Sequence, residues 1–369
     1  MTSTESRGDG ETVTGTRTQR LEIQEQYRKF VGRKIFFISF CLFLIVLISG
    51  ISLSLGSASV TLFEAYSAVF NRFFPDYFHT TDFFDVVVWD LRLPRIVLGI
   101  LAGFGLAIAG ATMQGILKNP LASPYTLGIA HGAGFGATLA IIYGVGFYGI
   151  GRLLLIGNAF IFSLVPAFVI LGLSRYKRAT PETMILAGIA MGYLFSAATS
   201  LMYYFAEPEA LKLAAIWIIG SLGRGSWGND ASLAIILVCC SPLLLMKAWD
   251  LNVMGAGDET AKSLGVNVER TRISIMMVAS LAAAGIICFT GTIGFVGLVA
   301  PHITRMVIGG DNRFVIPASG VFGAAFLIGM DLVARMVIAP TIIPVGIMTA
   351  FMGAPIFIYL IMRKKKDYW

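Results

Sequence analysis

A chain of 369 residues that is 56% hydrophobic, only 13% charged and of mean hydropathy +0.79 cannot hide its apolar surface in one water-soluble core. Its apolar residues recur in runs of about 20, the length that crosses a bilayer as a helix, so the composition describes an all-α polytopic membrane protein. The formal net charge of +7 does not point to nucleic acid, because the basic residues flank the apolar runs instead of forming a patch with interleaved aromatics.

Residues 1–33 are polar, rich in Thr, Ser, Gly and charge, and bury too little to fold alone. They read as a disordered cytoplasmic tail, helical at most over 21–34. The apolar run 35–55 is long enough to span and lacks a small-residue cleavage site, so it reads as a retained first helix and not as a signal peptide. Residues 34–369 then make one transmembrane domain. Further spans are predicted near 94–117, 122–143, 151–173, 182–205, 231–249, 273–289, 292–308, 314–335 and 341–362, about ten helices in all. Glycines four residues apart, at Gly99/Gly103, Gly128/Gly132, Gly132/Gly136 and Gly188/Gly192, suit close helix packing in lipid.

With the first span running outward, the basic groups near 28–34, 175–178, 247–272, 305–313 and 363–366 all fall on the inner side, and both termini are cytoplasmic. The same count places Arg92 and Arg95, in Arg92-Leu93-Pro94-Arg95, on the outer surface together with Arg335. These three run against the charge rule that accounts for the others. Two outer connections are long, 56–90 and 206–230. Within the second, residues 211–222, with Trp217, suit a short helix lying in the interface.

The polar segment 250–272 is the largest inner connection. Its Lys262-Ser263 lacks the glycines a phosphate loop needs, since Ala256 and Ala261 stand there, and no strand precedes it. Gly257, an acidic first turn at Asp258 and Glu259, helix formers through Leu264 and a stop at Gly265 describe a short capped helix. No metal site is expected. Cys41, Cys239, Cys240 and Cys288 lie in apolar segments without ligand spacing, and His302, following a proline, reads as structural. The spans carry almost no ionisable residues, Asp331 lying near an outer end, which argues against a proton-coupled carrier. Ala318-Ser319-Gly320 lacks the glycine a rhomboid-type intramembrane protease requires, and His302 has no evident pairing with it.

Several motifs in order carry a resemblance. They are Arg92-Leu93-Pro94-Arg95, Gly110-Ala111-Thr112-Met113-Gln114, Lys118-Asn119-Pro120-Leu121-Ala122-Ser123-Pro124, Ala261-Lys262-Ser263-Leu264-Gly265, the run from Gly291 through Pro301-His302, Asp331-Leu332-Val333-Ala334-Arg335, Pro344-Val345-Gly346 and Gly353-Ala354-Pro355. As a set spanning roughly 35–365 they resemble the permease family of ATP-driven importers for iron siderophores, haem and cobalamin.

The resemblance implies the type II ABC importer permease fold and a ten-helix subunit, built from two related halves of opposite topology, that pairs with a second copy, or with a close homologue, around a central path in the cytoplasmic membrane. Two ATPase subunits dock inside and hold the ATP and Mg, so this chain is itself no enzyme and carries no cofactor. An extracytoplasmic binding protein docks outside. The cargo is a metal chelate, an iron-siderophore first and haem or cobalamin next. By position, Arg92, Arg95 and Arg335 match outer arginines that receive acidic side chains of the binding protein. Two other readings of these residues stay open: an i,i+4 pair between Asp331 and Arg335, and contact of Arg92 or Arg95 with lipid headgroups. Gly257, Asp258, Glu259, Ala261, Leu264 and Gly265 match the coupling helix, where small Ala261 and Gly265 allow close approach of the ATPase. Asn119 and Leu121 match the cytoplasmic gate region. In the loop before the fifth span, Pro181-Glu182 is bulkier and more charged than the small hydroxylated residues the resemblance leads one to expect.

Overall fold

The computed structural model describes residues 9–56, 60–146, 150–177 and 180–362, and within them there are helices and no strands. In chain order these are α1 (Asp9–Ser54), α2 (Leu62–Asn71), α3 (Asp82–Asp85) running through a π-helical stretch Val86–Arg92 into α4 (Leu93–Leu117), α5 (Ile129–Tyr143), α6 (Arg152–Lys177), α7 (Pro181–Phe205) and α8 (Pro208–Ile218). There follow α9 (Trp227–Met246), α10 (Ala248–Gly255), α11 (Asp258–Ser263), α12 (Val268–Thr290), α13 (Val296–Ile308), α14 (Asn312–Met336) and α15 (Val345–Met362).

Seven stretches, at α1, α3 through α4, α6, α7, α9, α12 and α14, are long and apolar enough to cross a membrane, and α5, α13 and α15 are shorter apolar helices. Together they coincide with the ten apolar runs of the sequence. Large apolar side chains stay exposed on the outer flanks, such as Phe36 and Val46 on α1 and Leu186 and Tyr193 on α7. A lipid-facing surface needs them there, since lipid tails are as apolar as the side chains.

The centre of the bundle is α4, buried without a break from Gly105 to Leu117 and packed against α14, α12, α13 and α9. Its glycines permit this. A β-carbon at Gly103 would run into the Gly323 carbonyl of α14, and one at Gly110 into the Gly297 carbonyl of α13. The Gly132/Gly136 pair faces the α6 backbone at Phe162 and Asn158 in the same way.

The elements depart from the sequence prediction at several places, α5 among them, which starts at Ile129 and not at 122 after Gly128 takes a left-handed φ of 80°. The first helix begins at Asp9, well ahead of residue 21, because a helix already nucleated by its membrane span extends one hydrogen bond at a time without a new nucleus. The second span is entered through the π stretch, where Leu93 N–H donates to the Val88 carbonyl. Pro94 has no N–H to give, and the widened turn sits where the ordinary ladder would lose that bond. The short helix in 206–230 is α8, starting at Pro208 and ending before Gly220, whose φ of 79° breaks it earlier than residue 222. Residues 1–8, Arg178 and 363–366, to which the sequence assigns an inner location, lie outside the described residues.

Candidate functional site

At one end of the bundle the structure brings Arg92, Arg95 and Arg335 together. Arg92 and Arg95, three apart on a continuous helix, share a face, and Arg335 lies in the last turn of α14, one turn after Asp331. Arg95 forks onto Asp331, its Nε at 3.1 and 3.0 Å from the two carboxylate oxygens and its Nη2 at 2.7 Å from Oδ1. Arg335 Nε lies 3.2 Å from Asp331 Oδ2. Its other nitrogens donate to the Leu55 carbonyl at 2.9 Å and to the carbonyl and hydroxyl of Ser52. Arg92 donates to the carbonyls of Leu53 and, at 2.8 Å, Ser54.

The arginines are thus turned inward. Arg92 and Arg335 are each 6% exposed, Asp331 3%, and the Arg95 side chain 12%. A helix end leaves its last carbonyls without partners, and a cation at a C-terminus gains from the dipole as well, so two guanidinium groups at the end of α1 meet a definite electrostatic need. The local Asp331–Arg335 pair weighed from the sequence is present, extended by Arg95. In place of lipid headgroups, Arg92 has the carbonyls of α1.

At the opposite ends of α4 and α14 lies the 250–272 segment. Helix α11 starts after Gly257, whose φ of 120° sets the turn, and carries Asp258 and Glu259 in its first turn. It ends in a Schellman arrangement, with Val266 N–H on the Ala261 carbonyl at 2.9 Å, Gly265 N–H on the Lys262 carbonyl at 3.0 Å, and Gly265 at φ 85°. Ala261 is fully buried in the chain's own core beside Val266, so its small size serves the seat of the helix and not the approach of a partner. Glu259, Leu264 and Gly265 face outward, Leu264 at 67% exposure.

Asp258 anchors this helix on two sides. Its Oδ1 accepts from Lys118 Nζ at 3.0 Å and its Oδ2 from Arg272 Nη2 at 2.9 Å. Burial works to raise its pKa, but the hydrogen bonds and charges of Arg272 and Lys118 outweigh it and hold the carboxyl below its ordinary value. Lys118 ends α4 in a left-handed conformation, φ 49°, that only a few per cent of non-glycine residues adopt. Directly after it, Asn119 Oδ1 accepts the Leu121 N–H at 2.8 Å, and both residues line a cavity of about 420 Å³ with Tyr125, His131, Ile185 and Gly188. Tyr125 also borders a larger, mainly apolar recess of about 770 Å³ reaching Phe295, Leu298 and Phe351.

The start of α7 explains Pro181-Glu182. Thr180 caps the helix by accepting from Thr183 N–H, Pro181 takes the first-turn position where its missing donor does no harm, and Glu182 supplies the acidic first turn. The hydroxylated residues expected here stand on either side, at Thr180 and Thr183.

Sequence reasoning missed buried charge inside the bundle. Arg305, assigned to an inner basic group, is 4% exposed and donates to Gln114 Oε1 and, at 3.1 Å, to the Ala111 carbonyl. Gln114, a lone amide in the apolar run of α4, was the available signal. Asp230 in the first turn of α9 is 2% exposed, and no other side chain among the described residues hydrogen-bonds its carboxylate. Lys34, 1% exposed, lies 3.6 Å from Asp311, which also accepts from Asn252 at 2.7 Å and from Arg313. Of these only Arg305 lies within a predicted span; Lys34, Asp230 and Asp311 sit at span ends.

The profile of the FecCD transport family matches residues 42–363, which takes in the arginine cluster, the α11 helix and the 420 Å³ cavity. The chain belongs to the FecCD transport family. A protein of Methanocaldococcus jannaschii named as an ABC transporter permease, with no cargo in its name, is 44% identical over 94% of this chain and 99% of the relative. The hemin transport system permease protein of Yersinia pestis is 34% identical over 88% of this chain and 96% of the relative. A solved structure described as an inward-facing metal-chelate type ABC transporter superposes with a TM-score of 0.78 at 29% identity, covering 89% of this chain and 99% of the other. Membership makes the chain a multi-pass membrane permease, and it establishes the fold expected from the motifs.

Proposed function

We propose that this chain is the membrane-spanning subunit of an ATP-driven importer that carries a metal chelate into the cytoplasm, an iron-siderophore in the first instance, with haem or cobalamin as alternates. The observation that carries the reading, beside the family match, is α11: a firmly capped helix that leaves Glu259 and Leu264 outward at the end of the molecule opposite the arginine cluster. A single exposed leucine is ordinary on a protein surface, so it is the family match that makes this helix a docking feature. Its partner is one of two separate ATPase subunits, which hold the ATP and Mg. Both termini and α11 are then cytoplasmic.

The Arg92, Arg95 and Arg335 end faces an extracytoplasmic binding protein. Arg95, the most exposed of the three, is the one placed to add an acidic side chain of that partner to its Asp331 fork. A second copy of the chain completes the transport path. The 770 Å³ recess is lined in part by Phe351, 71% exposed, and its mainly apolar lining suits a bulky chelate. The name of a haem transporter among the relatives and a metal-chelate transporter among the structures supports the cargo class, not its member.

The test is reconstitution in proteoliposomes with candidate ATPase subunits and a binding protein, presenting ferric siderophore, haem and cobalamin in turn. ATP-dependent accumulation of one of them is expected. Failure to co-purify with any ATPase, or accumulation that ignores ATP, would sink the proposal.

A further inference from the structure

Beyond the end of α1 the chain gathers exposed aromatic rings. In α2 and the turn that follows it, Phe63, Tyr66, Phe70, Phe73, Phe74 and Tyr77 are all exposed, Phe63 and Tyr77 by more than three-quarters. Phe63, Tyr66 and Phe70, spaced i, i+3 and i+7, share one face of α2, while Ala65 and Ala68 are fully buried in a cluster with Leu53, Val88 and Ile96. Ring contacts of Phe70 with Phe78 at 5.4 Å and of Phe73 with Trp89 at 6.3 Å carry the patch past the helix end. Single exposed apolar side chains are ordinary, whereas a contiguous apolar patch marks an interaction surface.

We propose that this face is a lipid-contact surface, and that α2 and the turn after it rest in the interfacial layer of the bilayer with their rings among the headgroups and upper acyl chains. The inference needs only that α1 crosses the membrane, and it stands apart from the importer reading.

Depth favours lipid. The apolar span of α1, Val31–Ser54, has 24 residues and so a length of about 36 Å, against a hydrocarbon core of about 30 Å. Its last turn therefore leaves the hydrocarbon, and Gly50, about 6 Å before the end, lies close to the boundary. The Tyr66 hydroxyl rests on Gly50, in the space a β-carbon would fill. Helix α2 is thus seated level with the boundary turn of α1, whose Leu47 and Ile51 are exposed at the same height, and its aromatic face continues the lipid-facing flank. Aromatic rings on an amphipathic helix are the side chains that settle at this depth.

Charge weighs against a protein occupant. Residues 62–90 hold the carboxylates of Glu64, Asp76, Asp82, Asp85 and Asp90, with Arg72 as the one Lys or Arg among them. The acidic partner assigned to the arginine cluster would be repelled here, and so would a second copy presenting the same surface. Insertion of rings into zwitterionic lipid needs no opposite charge. The patch is also firmly joined to the cluster. Trp89 Nε1 donates to the Ala68 carbonyl at 3.0 Å and Trp227 Nε1 to the Trp89 carbonyl at 2.9 Å, so the depth of α2 sets the height of the π-helical stretch that ends at Arg92.

The experiment places a nitroxide label on Phe63→Cys, Phe74→Cys and Tyr77→Cys, one at a time, in full-length protein carrying Cys239→Ser and reconstituted into phosphatidylcholine vesicles. Collision with oxygen, which partitions into lipid, is compared with collision with a water-soluble nickel chelate. Labels at Val46→Cys, on the exposed flank of α1, and at Leu264→Cys, on α11, mark the lipid and water limits. All three test labels are expected to give an oxygen-to-nickel ratio severalfold above that of Leu264→Cys and below that of Val46→Cys. A ratio equal to that of Leu264→Cys puts the face in water and overturns the proposal. Exclusion of both reagents, the sign of a second copy covering the face, overturns it too, as does shielding of the labels by a bound binding protein. Tyr77→Cys, on an exposed turn outside the helix, reads the same patch where Phe63→Cys disturbs folding.

Discussion

Asp331 is the residue on which the outer cluster depends. It is the carboxylate that both Arg95 and Arg335 reach, and all of these are largely withdrawn from water. Removing one member of a buried ion group leaves charge without compensation, at about 3–5 kcal/mol. Asp331→Ala should therefore cut the yield of folded protein and lower the thermal midpoint in detergent, and an unchanged midpoint would contradict the inward geometry. Arg95→Lys separates two roles, because lysine keeps the charge a binding protein would meet but loses the fork. A lowered midpoint with intact binding-protein affinity assigns Arg95 to the fold, and lost affinity with an intact midpoint assigns it to docking.

At the end of the bundle that carries α11, Asp311 is held well below the usual carboxylate range. Burial opposes this, and the Arg313 fork with the Asn252 amide overcomes it. A depressed folded value means the contribution is full above the unfolded pKa, about 3.9, and is lost as pH falls through the folded value. Asp311 and Asp258 should thus leave stability flat between pH 7 and pH 5. Asp311→Asn should lower the midpoint equally at both pH values and blunt the loss below pH 4, as thermal scans across that range would reveal.

Among the elements, α4 and α11 make opposite demands on small residues. In α4 the glycines bring backbones together, so Gly103→Leu drives a side chain into the Gly323 carbonyl. Overpacking that soft side chains could absorb costs about 1–3 kcal/mol, and here the obstacle is backbone, so loss of the folded protein is expected on size-exclusion chromatography. In α11 the buried Ala261 and the exposed Leu264 can be told apart directly. Ala261→Leu should lower the thermal midpoint, and Leu264→Asp should leave it unchanged while abolishing co-elution with the ATPase. The reverse pattern would show that the helix is seated the other way round.

Helix α11 was legible because each of its signals is local: Gly257, Asp258 and Glu259 open it and Gly265 closes it, all within nine positions. The ten spans were legible for a related reason, length and apolarity being properties of a run. The turn of Arg92 and Arg335 onto the end of α1 was not, because apart from Asp331 their acceptors are the Ser52 hydroxyl and carbonyls at 52–55, which any sequence supplies and none advertises. The burial of Arg305 was hidden because two of its acceptors, the Gln114 amide and the Ala111 carbonyl, lie more than 190 positions away. Partners remote in sequence are invisible until packing brings them together.

Over the whole molecule, α1 and α14 are joined at both ends, by Lys34 and Asp311 at one and by Ser52, Leu55 and Arg335 at the other. They should move as one body in any transport cycle. Spin labels on the two helices should keep a constant distance with and without ATP, and a change of several ångströms would show that they slide.

The outer cluster has a consequence for how the chain is made. Arg92 bonds a carbonyl 39 positions behind it, already synthesised when Arg92 emerges, whereas Arg95 needs a carboxylate 236 positions ahead. At about 5–20 residues per second, that carboxylate arrives roughly 10–50 s later. On the orientation proposed above, the growing chain for that interval holds an outward cation without its carboxylate, at the place where the charge rule would favour pulling it back. Arrival of Asp331 then turns a provisional orientation of the second span into a locked one.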